Sequence, residues 1–166
     1  MELSKKTIRC RGCRALVLDT AGPTHRYVGA SPGCWQLYGE VLAREYSNVR
    51  FAAVHGLTVD CYAVQHPGTP SPQTIRSVAR HLIRLHLVLE REFDPRQATR
   101  AMQNAGLKKG DLKWLEPPAS PGSTTVLDVR RAADPIEHRD RVLAWSRSVW
   151  QAWTPHHATV RRWADS

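Results

Sequence analysis

Two cysteines near the start of the sequence have the spacing of a metal-binding knuckle. Cys10 and Cys13 enclose Arg-Gly in the segment CRGC. Two thiolates at this spacing can bind one metal ion from a tight turn, and zinc is the usual ion of such knuckles. A thioredoxin-like redox pair is disfavoured because no strand-CxxC-helix unit surrounds the motif. Two unrelated surface thiols are the simpler alternative.

Two further ligands are predicted at the ends of neighbouring helices. Cys34 follows the turn residues Ser-Pro-Gly at the start of one predicted helix, and His66 ends the next. The short connection makes these helices antiparallel, so the start of the first lies beside the end of the second. We therefore predict a structural Cys3His zinc site of Cys10, Cys13, Cys34 and His66. The helix N-terminus is also expected to lower the pKa of Cys34.

Each of the added ligands has a simpler interpretation. Cys34 could be a small buried hydrophobic residue, and His66 could cap the end of its helix. His25, in the segment GPTHRY, is the alternative fourth ligand. Cys61 falls on a different face of its helix from His66, so we assign it to the core.

A second group of candidate residues is predicted midway along the helices. Glu45 falls on the apolar face of the first helix, where a carboxylate needs a partner. His55 and His81 lie at a similar depth on the next two helices, by the rise per residue. Such groups form metal or acid-base sites in helical bundles, so a metal-dependent enzyme is an alternative function. Hydrogen-bonded core residues are the simpler explanation. His138 and His156 fall on the apolar stripe of the last helix.

The elements that must position these residues are mainly helices. Segment 1–33 is rich in turn residues and contains one strand candidate, ALVLD, while 107–133 is predicted as a loop-rich excursion with the strand candidate TTVLDV. We predict one mainly α domain over 1–166, a bundle of four or more helices with a small irregular N-terminal lobe that carries the knuckle. Helical periodicity predicts helices over about 34–46, 49–66, 72–93, 96–106 and 134–164, the last kinked near 155.

The charge of the chain suggests a third kind of function. Its 166 residues contain 24 Lys and Arg against 15 Asp and Glu, a net charge of +9. This excess favours an anionic partner, either nucleic acid or an acidic protein, although a solvated basic surface is the simpler explanation. Four arginines share one face of the third predicted helix: Arg76, Arg80, Arg84 and Arg91.

The expected location follows from hydropathy. The sequence has no apolar run of about 18 residues and no apolar signal segment at its start, which predicts no membrane span and a cytoplasmic protein. Disulfides are rare in that compartment, so the four cysteines are expected to be free or metal-bound.

Several segments together resemble an uncharacterised family of small bacterial proteins, a domain of unknown function. The resemblance rests on CRGC, GPTHRYVGASPGCW, YGEVLAREY, HGLTVDCYAVQHPG and SPQTIRSVARHL. It covers residues 10–90 well, and the EPP, SVWQAW and HH elements more loosely. The resemblance implies a grouping without an assigned activity, and it implies that Cys61 is not a ligand.

Overall fold

A computed structural model describes residues 5–104 and 111–166 of the chain. The end of the helix predicted over 96–106 and the start of the predicted excursion, at 105–110, lie outside the described residues. The N-terminal lobe is less irregular than predicted, because it contains a short antiparallel hairpin. Strand β1 is Thr7–Arg9 and strand β2 is Leu16–Leu18, and the CRGC knuckle lies in the turn between them.

Helices make up most of the described chain, which confirms the predicted mainly α fold. A one-turn 3-10 helix, Thr154–His156, contains Pro155 and separates the last two α-helices. The α-helices are α1 (Pro32–Ser47), α2 (Val49–Ala52), α3 (His55–Gln65), α4 (Pro72–Leu89), α5 (Pro95–Asn104), α6 (Val126–Arg130), α7 (Pro135–Ala152) and α8 (His157–Asp165).

Local capping explains where several helices begin. The Ser71 hydroxyl accepts a hydrogen bond from the Thr74 N–H, and the Thr74 hydroxyl accepts one from the Ser71 N–H, a reciprocal capping box ahead of α4. The Asp134 carboxylate accepts the first free N–H groups of α7, at Ile136 and Glu137. Both helices carry proline at their first position, where no N–H is needed.

Two predicted elements are wrong. The single helix over 49–66 is divided after a one-turn α2, because Val54, at φ −110° and ψ 9°, leaves the helical conformation before α3. The strand predicted from TTVLDV is helix α6. There the Thr125 hydroxyl accepts a hydrogen bond from the Leu127 N–H, and the Asp128 carboxylate accepts one from the Thr125 N–H. This local capping outweighs the strand propensity of the Thr-Thr-Val run.

The core lies around α3, which packs against α4 and α7. Its largest fully buried side chains include Trp145 and Trp153 from the C-terminal half and Leu82 and Ile83 from α4. The hairpin lobe joins this core at the start of α1. A Cβ added to Gly33 would lie 2.3 Å from the Leu18 carbonyl oxygen, so only glycine allows β2 to approach α1 this closely.

Candidate metal centre

Four side chains meet where the hairpin lobe contacts the ends of α1 and α3. The Sγ atoms of Cys10, Cys13 and Cys34 and a ring nitrogen of His66 all lie within 4.8 Å of one another. Each of the four residues is at most 2 % exposed. The structure therefore brings together all four predicted ligands and encloses them in the protein.

Two distances between donor atoms match the edges of a tetrahedral zinc site. Zn–S bonds of about 2.3 Å and a Zn–N bond of about 2.0 Å give tetrahedron edges of roughly 3.8 Å between two sulfurs and roughly 3.5 Å between sulfur and nitrogen. The Cys13 and Cys34 Sγ atoms are 3.8 Å apart, and Cys34 Sγ is 3.4 Å from His66 Nε2. The donor set thus has the size and chemistry to hold one metal ion of this kind.

The knuckle turn positions the first two thiols. The Cys10 N–H donates to the Ala15 carbonyl over 2.8 Å, and the Arg14 N–H donates to the Cys10 carbonyl over 3.0 Å. Arg14 has φ +64°, a left-handed conformation that turns the chain back into β2. A Cβ at Gly12 would lie 2.4 Å from His66 Cδ2, so the turn reaches the imidazole only because this position is glycine.

The backbone of α3 orients the His66 ring. Nδ1 donates a hydrogen bond to the Tyr62 carbonyl oxygen over 2.8 Å. This bond fixes the proton on Nδ1 and leaves the Nε2 lone pair directed at the thiols, as metal-binding histidines require. His66 therefore caps the end of α3, which is its simpler predicted role, and from the same position it directs Nε2 at the thiols.

Tyr62 supports the cluster from the core. Its hydroxyl donates to Cys34 Sγ over 3.5 Å, and its ring stacks on His66 with centroids 4.0 Å apart. Tyr38 stacks on the other side of Tyr62, with centroids 3.8 Å apart and planes 7° from parallel. An aromatic column thus covers the inner side of the cluster and restricts the movement of two ligands.

The three neighbouring thiols shift one another's pKa values. Hydrogen bonds from Cys13 and Cys34 lower the pKa of Cys10 far below its ordinary value. The pKa of Cys13 is raised to about 12, first because its thiol donates to Cys10, and the pKa of Cys34 is raised further for the same reason. Among the metal-free thiols, this rise caused by the neighbouring sulfurs is opposite in direction to the lowering expected from the helix N-terminus. A metal ion binding here must displace these protons.

The other cysteine and the alternative ligand lie elsewhere. Cys61 is fully buried in the core, and burial raises the pKa of its thiol. His25 is exposed, where its Nδ1 accepts a hydrogen bond from the Tyr27 N–H over 3.2 Å. It is therefore His66, and not His25, that completes the four-residue cluster.

Glu45 is the centre of a separate buried network. Its carboxylate accepts hydrogen bonds from His55 Nδ1 and from His138 Nε2, each over 2.8 Å, and from the Thr58 hydroxyl. Arg44 Nη2 donates to His138 Nδ1 over 3.0 Å, which places the proton of that ring on Nε2. Both carboxylate oxygens are occupied by protein donors, so the arrangement fits the simpler explanation of hydrogen-bonded core residues.

The predicted convergence of His81 with Glu45 and His55 is wrong. His81 Nδ1 donates instead to Asp60 over 2.7 Å, and Arg84 Nε donates to both oxygens of the same carboxylate. Asp60 is 1 % exposed on α3, so this ion pair satisfies a second buried charge. His81 therefore pairs with a carboxylate on α3, five residues after His55, and not with Glu45 on α1.

Sequence reasoning missed two residues of these networks. The sequence places His138 on an apolar stripe without pairing it with Glu45, and it does not predict a role for Asp60. The signal for Asp60 was present, because a carboxylate in a nearly all-apolar helix needs a partner just as Glu45 does.

The fold and the site define a class of protein: a mainly helical chain whose N-terminal hairpin supplies two ligands of a buried Cys3His cluster. The sequence matches the family of unknown function DUF5946 over residues 8–154. The chain belongs to this family, which confirms the resemblance to a domain of unknown function. No curated protein matches the chain, and no solved structure does. No helix among the described residues has the length and hydropathy needed to span a bilayer.

Proposed function

We propose that the chain binds one zinc ion through Cys10, Cys13, Cys34 and His66, and that the ion is structural. The proposal is carried by one observation, the enclosed Cys3His geometry. Four protein ligands complete a tetrahedron, whereas catalytic zinc sites keep a position open for water or substrate. Three sulfur donors also favour zinc over the hard cations magnesium and calcium, which prefer oxygen.

The ion would hold the hairpin lobe against the helices. The lobe's two strands have three residues each, and an isolated hairpin is marginal in water. Val17 is its one fully buried strand residue, while Leu16 and Leu18 remain 54 % and 40 % exposed. Apolar burial by the two strands is therefore small, and a metal bridging the knuckle turn, α1 and the end of α3 adds stabilisation there.

The cytoplasm is the location that this proposal favours. A Cys3His zinc site needs reduced thiolates, and reducing compartments maintain them. All four cysteines are free in the structure, although Cys13 and Cys34 have their sulfur atoms only 3.8 Å apart.

Zinc content and chelation test the proposal. Purified protein should contain about one zinc per chain by elemental analysis, and removal of zinc with a chelator should unfold the hairpin lobe and lower the melting temperature. Cys34→Ser should lose most of the zinc. Cys61→Ser is the matched control, because both cysteines are fully buried and only Cys34 belongs to the cluster. A chain that melts at the same temperature with and without zinc would refute the structural role.

A further inference from the structure

A cleft of about 460 Å³ lies beside the Cys3His cluster. Gly12 of the knuckle and Gln65, the chain neighbour of His66, both line it. Three arginines also line it: Arg11, Arg14 and Arg26. No carboxylate belongs to the lining within the described parts of the chain, so no acidic side chain lines the cleft beside these arginines.

Among the described residues, the three arginines have fewer hydrogen-bond partners than they have donors. Arg11 Nη2 donates to the Ala30 carbonyl over 2.9 Å, and Arg14 Nη2 donates to the Ala119 carbonyl. Each bond uses one of the five N–H groups of a guanidinium. The Arg26 guanidinium lies 5.5 Å from the centre of the Tyr27 ring and is exposed. The planar guanidinium group of arginine binds phosphate and carboxylate through two parallel hydrogen bonds.

The rest of the lining is largely apolar and is held in place. It includes Val28, Pro117 and Pro121. Gln65 Nε2 anchors the proline-rich loop by donating to the Pro121 and Thr124 carbonyls over 3.0 and 2.9 Å. A wall fixed by such bonds is formed before a ligand arrives, which reduces the ordering cost of binding.

We propose that this cleft binds a small anionic molecule whose phosphate or carboxylate group contacts the three arginines and whose apolar body contacts the prolines. The volume falls within the range of small-molecule sites, about 300–1,000 Å³. The arginines do more than balance the metal centre, because a zinc ion with three thiolates carries about one negative charge against three guanidinium groups. The inference goes beyond the proposed structural zinc, since ligand binding is measured on the folded protein whatever ion it contains.

Three probes that share a phenyl ring and differ in the attached polar group test which ligand chemistry the cleft binds. Phenyl phosphate, benzoate and neutral benzyl alcohol are titrated separately into ¹⁵N-labelled protein, up to about 10 mM, which detects dissociation constants near 1 mM. The proposal expects phenyl phosphate, benzoate or both to shift the amide signals of Gly12, Gly29 and Gly68, and benzyl alcohol to leave them unchanged. The comparison of the two anions identifies phosphate or carboxylate as the preferred group. Equal shifts with the neutral probe, or no shift with either anion, overturns the proposal.

Arginine variants locate the binding site. Arg26→Gln should weaken binding of the anionic probe about tenfold or more, the loss expected for a charged hydrogen bond. Arg139→Gln on α7 is the control, because Arg139 is exposed and does not line the cleft. Equal weakening by both variants would overturn the proposal in favour of a diffuse basic surface. A short DNA duplex serves as a competitor. DNA that binds wild type and Arg26→Gln equally well and displaces no probe supports a cleft for small anions, whereas DNA that displaces the probe and binds Arg26→Gln more weakly overturns it in favour of a nucleic-acid surface.

Discussion

Replacing Glu45 by alanine should destabilise the protein strongly without removing its metal. Glu45 is fully buried and accepts hydrogen bonds from His55, Thr58 and His138. Removing one member of a buried charged network costs about 3–5 kcal/mol, because the remaining polar groups stay buried without partners. At 2–4 °C per kcal/mol for a chain of this size, the melting temperature should fall by roughly 6–20 °C.

Graded variants separate this effect from a general loss of charge. Glu45→Gln keeps one carbonyl acceptor and should cost less, about 1–3 kcal/mol. Glu40→Ala removes an exposed carboxylate from the same helix, paired with Arg130 at the surface, and should cost at most about 1 kcal/mol.

Urea unfolding of the zinc-loaded proteins measures these differences directly. The order of destabilisation should be Glu45→Ala, then Glu45→Gln, then Glu40→Ala. All three variants should still contain about one zinc per chain, because Glu45 is not part of the Cys3His cluster. A Glu45→Ala protein as stable as Glu40→Ala would refute the account of this network as a structural one. Loss of zinc from folded Glu45→Ala would refute its separation from the metal centre.

Three further predictions concern the metal centre and pH. Gly12→Ala places a methyl group against the imidazole ligand, so zinc affinity should fall by about tenfold or more in a competition titration; unchanged affinity would contradict the close approach. Tyr62→Phe keeps the aromatic stack but removes the hydrogen bond to Cys34, and zinc affinity should fall by up to about tenfold while the fold is retained. Hydrogen bonds from Arg161, His86 and Trp150 lower the pKa of Glu90 to about 2. The stabilisation by ionised Glu90 is therefore full above pH 4.5 and is lost as the pH falls through about 2. The destabilisation by Glu90→Gln should therefore be about 1 kcal/mol at pH 7 and should shrink steadily as the pH is lowered from 4.5 toward 2, and a penalty that does not change over this range would contradict the assignment.

The Cys3His cluster could be predicted because its placement follows from topology. Cys10 and Cys13 share one turn. Cys34 and His66 lie at the ends of two consecutive helical segments with a short connection, and this connection brings those ends together. The break between α2 and α3 leaves this outcome unchanged, because α3 still runs back to the lobe and ends at Gln65, immediately before His66.

The second cluster could be predicted only in part. The depth of a residue along a helix follows from its number, but the direction of its side chain depends on how the helix is rotated in the fold. Glu45 and His55 were matched correctly, whereas His81 faces Asp60 on α3. The partner from α7, His138, comes from 93 residues away, and no local pattern specifies that pairing.

X-ray absorption at the zinc edge tests the central claim most directly, because it counts the atoms bound to the ion. The account predicts three sulfur neighbours at about 2.3 Å and one imidazole nitrogen at about 2.0 Å, with no water ligand. Cys61→Ser should give the same spectrum, and Cys34→Ser, if it retains zinc at all, should show one sulfur fewer. A wild-type spectrum with two sulfurs or fewer, or with a bound water, would contradict a closed structural site.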